Sequence, residues 1–170
     1  DYRRAHPDID PKFLFVNAGY NLRATELQAA MGLIQYRKLN GFVDARRKTA
    51  ARLQEVFGRF NDLFQTQREL PEARSSWFGF PVIIKDGPSL PHAGYIRSHF
   101  EENGIETRPL ICGNIARQPG MKLWPHRIVG DLKHADHVMK SGFSIGCHQG
   151  MKDEDVDYVA EVLNGLMKTM

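Results

Sequence analysis

The sequence is poor in cysteine and has no long apolar segment. Its 170 residues include two cysteines, Cys112 and Cys147, far apart and outside any CxxC pattern. Two cysteines so far apart disfavour a disulfide scaffold and a zinc site, and they fit a reducing cytoplasm. No apolar run reaches the roughly 18 residues that cross a bilayer. The sequence therefore predicts a soluble, cytoplasmic protein that does not interact with membranes.

Strong charge and the common nucleotide and hydrolase motifs are also missing. The net charge of +3 is too small to indicate a nucleic-acid partner. The densest basic cluster, 46–48, falls within a predicted helix and is interpreted as a solvated face. His134 and His137 share a predicted helix, but no carboxylate lies on their face, so we expect no metal site. GxGxxG, GxxxxGK[ST] and GxSxG do not occur.

Two helical patterns dominate the first half of the chain. The chain opens without an initiator methionine, which suggests a truncated beginning. Thr25 and Gln28 form a capping-box pattern that begins a helix whose apolar face carries Leu27, Met31 and Ile34. The pair at 40–41, Asn-Gly, predicts a break or kink, and a second amphipathic helix follows to about residue 60. These helices have the character of connectors between two bodies.

The second half alternates strands and helices. Strands are predicted at 77–84, 105–110 and 143–147, and helices after Ser89, after Asp131 and after Asp153. A Gly/Pro-rich loop at 111–130 is long enough to indicate a functional segment. The fold class is α/β, with a small two-layer sandwich of helices on one sheet. The domain division is 1–74, the end of a larger domain with connecting helices, and 75–170, a small C-terminal domain.

Polar side chains gather at four places where a ligand would find them. In GYNLR (19–23), the Asn21 amide and the Arg23 guanidinium precede a helix N-terminus, which suits a phosphate. An ordinary turn that feeds a helix explains the same residues. Arg108 ends a strand, and His148 follows another strand, where it acts either as an acid–base group or only as a hydrogen-bonding residue.

The long loop carries the remaining candidates. Asn114 and Gln118 offer amides, and Arg117 lies between them. A solvated surface loop with ordinary polar residues is the competing interpretation.

Four stretches together resemble a known enzyme family. GYNLRATELQAAMGLIQYRKLNGF, SSWFGFPVII, GIETRPLICGNIARQP and GFSIGCHQGM are similar to the C-terminal part of the DegT/DnrJ/EryC1/StrS aminotransferases, which depend on pyridoxal phosphate. The last three are most similar to the branch of nucleotide-sugar 3-dehydratases. The resemblance implies the C-terminal part of a fold-type I transferase.

The resemblance also implies a reaction and a list of contacts. A 3-dehydratase uses the amine form of the cofactor to remove the C3 hydroxyl from an NDP-4-keto-6-deoxyhexose, in lipopolysaccharide or deoxysugar biosynthesis. Members are homodimers, and the asparagine of GYN reaches the cofactor phosphate of the partner subunit. The implied cofactor contacts are Asn21, Tyr20 and Arg23, and the implied substrate contacts are Arg108, Asn114, Gln118 and His148.

The residue that decides the reaction lies upstream in this family. It is a lysine in the aminotransferases and a histidine in the dehydratases, and no residue of this chain takes its place. We therefore expect no catalytic residue here, no turnover by the chain alone and no retained cofactor. An aminotransferase and a non-catalytic domain that binds a nucleotide sugar or a partner chain remain alternatives. The exposed apolar helix faces predict a homo-oligomer.

Overall fold

The computed structural model describes residues 2–10, 14, 20, 22–87 and 90–169. These residues form two units, 1–38 and 39–170. The helices within them are α1 (Tyr2–Ala5), α2 (Glu26–Gly58), α3 (Ala93–Glu102), α4 (Lys133–Ser141) and α5 (Asp153–Thr169). The strands are β1 (Phe64–Thr66), β2 (Phe80–Ile84), β3 (Thr107–Pro109) and β4 (Gly142–Ile145). The division into domains at residue 74 stays a prediction about a longer protein.

The predicted capping box begins α2. The backbone N–H of Thr25 donates to Gln28 Oε1 at 2.9 Å, and the backbone N–H of Gln28 donates to Thr25 Oγ1 at 3.3 Å. Each side chain therefore satisfies an N–H group that the first helical turn leaves without a backbone partner. The apolar face that follows is exposed: Leu27 by 73%, Met31 by 62% and Ile34 by 49%.

The predicted break at Asn40-Gly41 is wrong, because α2 runs unbroken from Glu26 to Gly58, and the alternative, a kink there, stays a prediction. A glycine in a helix costs about 1 kcal/mol relative to alanine, which is a weak preference. Downstream of it, the helix buries Thr49, Ala50, Leu53, Val56 and Phe57. Burial of such side chains is worth roughly 1.5–3 kcal/mol each, so packing outweighs the local cost.

A four-stranded antiparallel sheet has the order β1-β2-β4-β3. Its register pairs Pro81 with Ser144 and Ser144 with Arg108, so these three side chains share one face. The neighbouring positions Phe80 and Ile145 are paired and buried on the other face. Strand β1 was not predicted, since its three residues follow an apolar helical pattern without a marked turn.

The core lies between the sheet and helices α2, α3 and α5. Phe57 of α2 is at its centre, with ring centroids 5.2 Å from Phe64, 5.4 Å from Phe80 and 6.4 Å from Phe100. The buried positions predicted for α3, Ala93, Ile96 and Phe100, are confirmed. Helices on one face of a sheet make the predicted two-layer sandwich, and the opposite face of the sheet is left to form a surface.

Helix ends show smaller departures from the predictions. The N-cap of α3 is His92, whose Nδ1 accepts from the backbone N–H of Gly94, and Ser89 lies outside the described residues. Leu132 occupies the N-cap of α4, while the Asp131 carboxylate accepts from the Lys133 backbone N–H at 3.2 Å. The long loop contains two short 3-10 helices, Ile115–Arg117 and Pro119–Leu123.

The C-terminal helix buries most of the face predicted for it. Val156, Val159, Leu163 and Leu166 are buried, as predicted. Met167 was also predicted to face inward and is 40% exposed. In the described residues, no helix combines the length and apolarity needed to cross a membrane.

Candidate functional site

A cleft of about 1090 Å³ is bounded by the face of the sheet opposite the core and by residues of α5. Its floor includes Pro81, Ser144 and Arg108, the three paired positions of that face. Segments 75–79 and 104–111 form two parts of its wall, and residues after β4 and at the start of α5 form the rest. The volume slightly exceeds the roughly 300–1,000 Å³ range of small-molecule sites.

Salt-bridged side chains fix the wall at 75–79. The Arg47 guanidinium on α2 binds both carboxylate oxygens of Glu69, at 2.7 and 3.0 Å, and donates to the Ser75 carbonyl at 2.8 Å. Glu69 also accepts from the Ser75 backbone N–H. Hydrogen bonds from Arg47 and from Ser75 lower the pKa of Glu69. These bonds therefore hold the start of the 75–79 segment at a fixed place against α2, since bidentate pairs define orientation as well as distance.

Trp77 and Phe78 have opposite environments at this wall. Trp77 is 5% exposed, its ring stacks on Phe80 at 5.9 Å, and its φ of 51° lies in the left-handed region. Its backbone N–H donates to Ser75 Oγ at 3.1 Å. Phe78 is 90% exposed and lines the cleft. The backbone thus buries one aromatic ring and presents the next one to solvent.

Arg108 lies in the cleft, as its predicted substrate role requires, and it forms an ion pair there. Its guanidinium pairs with Glu106, and the side chains are 74% and 72% exposed. Ser144 Oγ donates to the Arg108 carbonyl at 3.4 Å. Exposed ion pairs contribute about 0–1 kcal/mol, so an incoming anion can displace this carboxylate at little cost.

His148 also lines the cleft. Its Nδ1 accepts from the backbone N–H of Gly150 at 3.1 Å, which leaves the proton of the neutral ring on Nε2. The adjacent Cys147 is buried, and burial raises the pKa of its thiol to about 11. Cys147 is therefore a protonated core residue, and His148 is the group exposed at this strand end.

Asn114 and Gln118 make hydrogen bonds within the loop and to α4, and they do not line the cleft. Asn114 is 3% exposed; its Nδ2 donates to Asp136 at 2.7 Å, and its Oδ1 accepts from Ala116 N–H at 3.1 Å. Gln118 Nε2 donates to the Cys112 carbonyl at 2.9 Å. Their substrate role stays a prediction, and the contacts seen here hold the loop in shape.

An aspartate on α4 anchors that loop. Both oxygens of Asp136 accept from Arg117, at 3.0 and 2.8 Å. Hydrogen bonds from Arg117 and then from Asn114 lower the pKa of Asp136 from 3.8 to about 2. Arg117 was predicted to be a cation available to a ligand, and in the structure it forms an ion pair with Asp136.

The predicted cofactor contacts belong to the first unit. Tyr20 is 94% exposed, and Arg23 is exposed just before α2. Asn21 lies outside the described residues. Their role toward a cofactor stays a prediction.

Sequence reasoning missed Phe78 and Glu106 as residues of the site. It assigned 77–84 to one buried strand, whereas β2 begins at Phe80. The two serines before Trp77 and the glycine after Phe78 were the available signal of a wall segment. Glu106 was overlooked because a lone acidic residue before a strand has no distinguishing pattern.

Comparison with known proteins identifies the family. The DegT/DnrJ/EryC1/StrS aminotransferase model matches residues 4–164. The chain belongs to this family. It is 36% identical to dTDP-4-dehydro-2,6-dideoxy-D-glucose 3-dehydratase of Saccharopolyspora spinosa over 91% of its length. It is 34% identical to GDP-4-keto-6-deoxy-D-mannose 3-dehydratase of Yersinia pseudotuberculosis, again over 91% of its length.

A solved structure of this family has the same fold. The chain superposes on Escherichia coli GDP-4-keto-6-deoxy-D-mannose-3-dehydratase with bound hydrated PLP at a TM-score of 0.80 and 32% identity, over 89% of its own length. It spans 38% of that structure, and 33% and 39% of the two sequence relatives. The predicted fold, the C-terminal part of a fold-type I transferase, is confirmed; the activity of a whole protein is a separate question.

Proposed function

We propose that this chain supplies the nucleotide-sugar side of a pyridoxal-phosphate-dependent 3-dehydratase. The substrate class is an NDP-4-keto-6-deoxyhexose, used in lipopolysaccharide or deoxysugar synthesis in the cytoplasm. The observation that carries the proposal is the cleft with Arg108 on its floor, in a chain 34–36% identical to two 3-dehydratases. An aminotransferase is less well supported, since the chain is only 25% identical to UDP-4-amino-4,6-dideoxy-N-acetyl-beta-L-altrosamine transaminase of Campylobacter jejuni.

Three polar groups of the cleft, on Arg108, Glu106 and His148, have a task in this proposal. The planar guanidinium of Arg108 binds the diphosphate, because its N–H groups match phosphate oxygens in pairs. Glu106, displaced from that pair, accepts hydrogen bonds from sugar hydroxyls. His148 offers its Nε2–H to a sugar or phosphate oxygen. Asn114 and Gln118 act indirectly, by holding the loop that follows the 104–111 wall.

The residues that line this cleft do not form a complete site for pyridoxal phosphate. Among the described residues that line it, none is a lysine, so it offers no amine for a Schiff base. When bound, this cofactor supplies an electron sink for the sugar chemistry. We assign its phosphate to Asn21, with Tyr20 and Arg23 nearby, acting on the cofactor of a partner subunit. No step of the reaction is assigned to residues of this chain.

Calorimetric titration of the chain with GDP and with a GDP-sugar tests the cleft's role. We expect saturable binding, and we expect Arg108→Gln to weaken it by about tenfold, the value of a charge-assisted contact. Arg74→Gln is the matched control: Arg74 is also an exposed arginine paired with an acid, Asp44, but outside the cleft. Equal affinities for all three proteins would contradict the proposal.

A further inference from the structure

Phe78 is an exposed aromatic ring with no packing role in this unit. A phenylalanine that is 90% exposed gains nothing from burial, and it lines the cleft that also contains Arg108. Scattered exposed apolar residues are ordinary. This ring differs because the backbone on its N-terminal side is held in place by two charged side chains.

The presentation of the ring is built by its neighbours. Arg47 and Glu69 hold Ser75, Ser75 Oγ accepts from Trp77, and Trp77 adopts a left-handed φ with its own ring buried on Phe80. Such a conformation costs on the order of 1–3 kcal/mol and persists only where its surroundings enforce it. The strain is thus maintained at the residue that turns Phe78 outward.

One strand, β4, lies between the backbone beside Phe78 and the backbone of Arg108. A β-carbon placed on Gly79 would lie 3.7 Å from Ser144 Cβ on β4, and Ser144 pairs with Arg108 on β3. Adjacent strands are about 4.8 Å apart, so two strand spacings span roughly 10 Å. Side chains that leave the backbone at that separation can reach the base and the diphosphate of one nucleotide.

We propose that Phe78 is the platform on which the base of the nucleotide sugar stacks. This inference rests on the proposed function, because Arg108 must hold the diphosphate for the base to reach the ring. The ring offers a π-face and no hydrogen-bonding group, so it accepts purines and pyrimidines alike. Phe78 therefore supplies affinity for a nucleotide, and it does not select which base is bound.

A tryptophan next to the platform provides the measurement. The chain has two tryptophans, so Trp124→Phe leaves Trp77, which lines the cleft, as its sole tryptophan. In this background we follow Trp77 fluorescence with GDP, CDP and inorganic pyrophosphate at up to millimolar concentration. Phe78→Leu removes the ring and keeps the apolar character, and Phe78→Tyr keeps the ring. Because Phe78 is exposed, both variants should fold, which circular dichroism checks.

The expected pattern separates base from phosphate. Phe78→Leu should lower the affinity for GDP and for CDP by roughly tenfold, as the loss of one base–aromatic stack does. The same change should leave the affinity for pyrophosphate unchanged. Phe78→Tyr should bind GDP, CDP and pyrophosphate as tightly as the parent does. Tyr36→Leu, at an aromatic 75% exposed but outside the cleft, should have no effect.

Two other results would overturn the inference in different ways. If Phe78→Leu binds GDP and CDP as the parent does, while Arg108→Gln weakens both, the platform is wrong and the nucleotide-sugar role stands. If neither nucleotide nor pyrophosphate changes the fluorescence or produces heat in calorimetry, both the platform and the proposed function fail.

Discussion

At the scale of single residues, Glu106 competes with any anion that approaches Arg108. The two side chains are paired in the cleft and both are largely exposed. Glu106→Gln should therefore strengthen the binding of inorganic pyrophosphate several-fold, because the guanidinium then loses a competing carboxylate. Isothermal titration at low salt measures this. Asp44→Asn, which frees Arg74 outside the cleft, is the control, and weaker binding by Glu106→Gln would contradict the assignment of Arg108.

Asp136 gives the loop a dependence on acid. Its folded-state pKa is depressed from 3.8 to about 2, so the stabilisation is present above pH 3.8 and is lost as the pH falls toward 2. Denaturant unfolding between neutral pH and pH 2 should show a smaller acid-induced loss of stability in Asp136→Asn than in the parent. Asp131→Asn, beside the same helix, should follow the parent. An unchanged pH profile in Asp136→Asn would count against the anchor.

Residues at strand ends were predictable, and residues with distant partners were not. Arg108 and His148 lie in the cleft, which is where side chains after short strands meet in such a sheet. Asn114 resembled a ligand because its partner, Asp136, is 22 positions away in the sequence. Phe78 was assigned to the core because apolar residues surround it, and only the turn at Trp77 places it outside.

At the scale of elements, one phenylalanine joins a helix to two strands and a second helix. Phe57 of α2 contacts rings on β1, β2 and α3, and is 1% exposed. Phe57→Ala should lower the free energy of unfolding by about 3–5 kcal/mol through lost transfer energy and a cavity. Urea unfolding measures the change. Tyr36→Ala on the same helix is exposed, so it should alter stability by less than about 0.5 kcal/mol.

Helices and strands with several buried residues could be predicted from the sequence, and the shortest strand could not. Helices α3 and α5 repeat apolar residues at helical spacing, and β4, predicted at 143–147, spans Gly142–Ile145. Strand β1 has three residues and is recognisable only by its pairing with β2. The unbroken α2 shows the reverse case: a local Asn-Gly signal predicted an interruption that packing of the helix's second half overrides.

At the scale of the whole molecule, the exposed apolar face at the start of α2 predicts self-association. Leu27, Met31 and Ile34 lie on that face and are each about half exposed or more. A second copy that covers them would bury area that water otherwise contacts. Light scattering should report an oligomer for the parent and a smaller species for Met31→Glu. Ala29→Glu, a charge change at an exposed position on the opposite side of the same helix, should not dissociate it, and a monomeric parent would contradict this prediction.

A crystal structure of the chain with a bound nucleoside diphosphate tests the assignment of the cleft most directly. The predicted result is a nucleotide on the open face of the sheet, with its diphosphate within hydrogen-bond distance of the Arg108 guanidinium and Glu106 turned away from it. A nucleotide bound elsewhere on the chain, with the pair between Arg108 and Glu106 intact, would contradict that assignment.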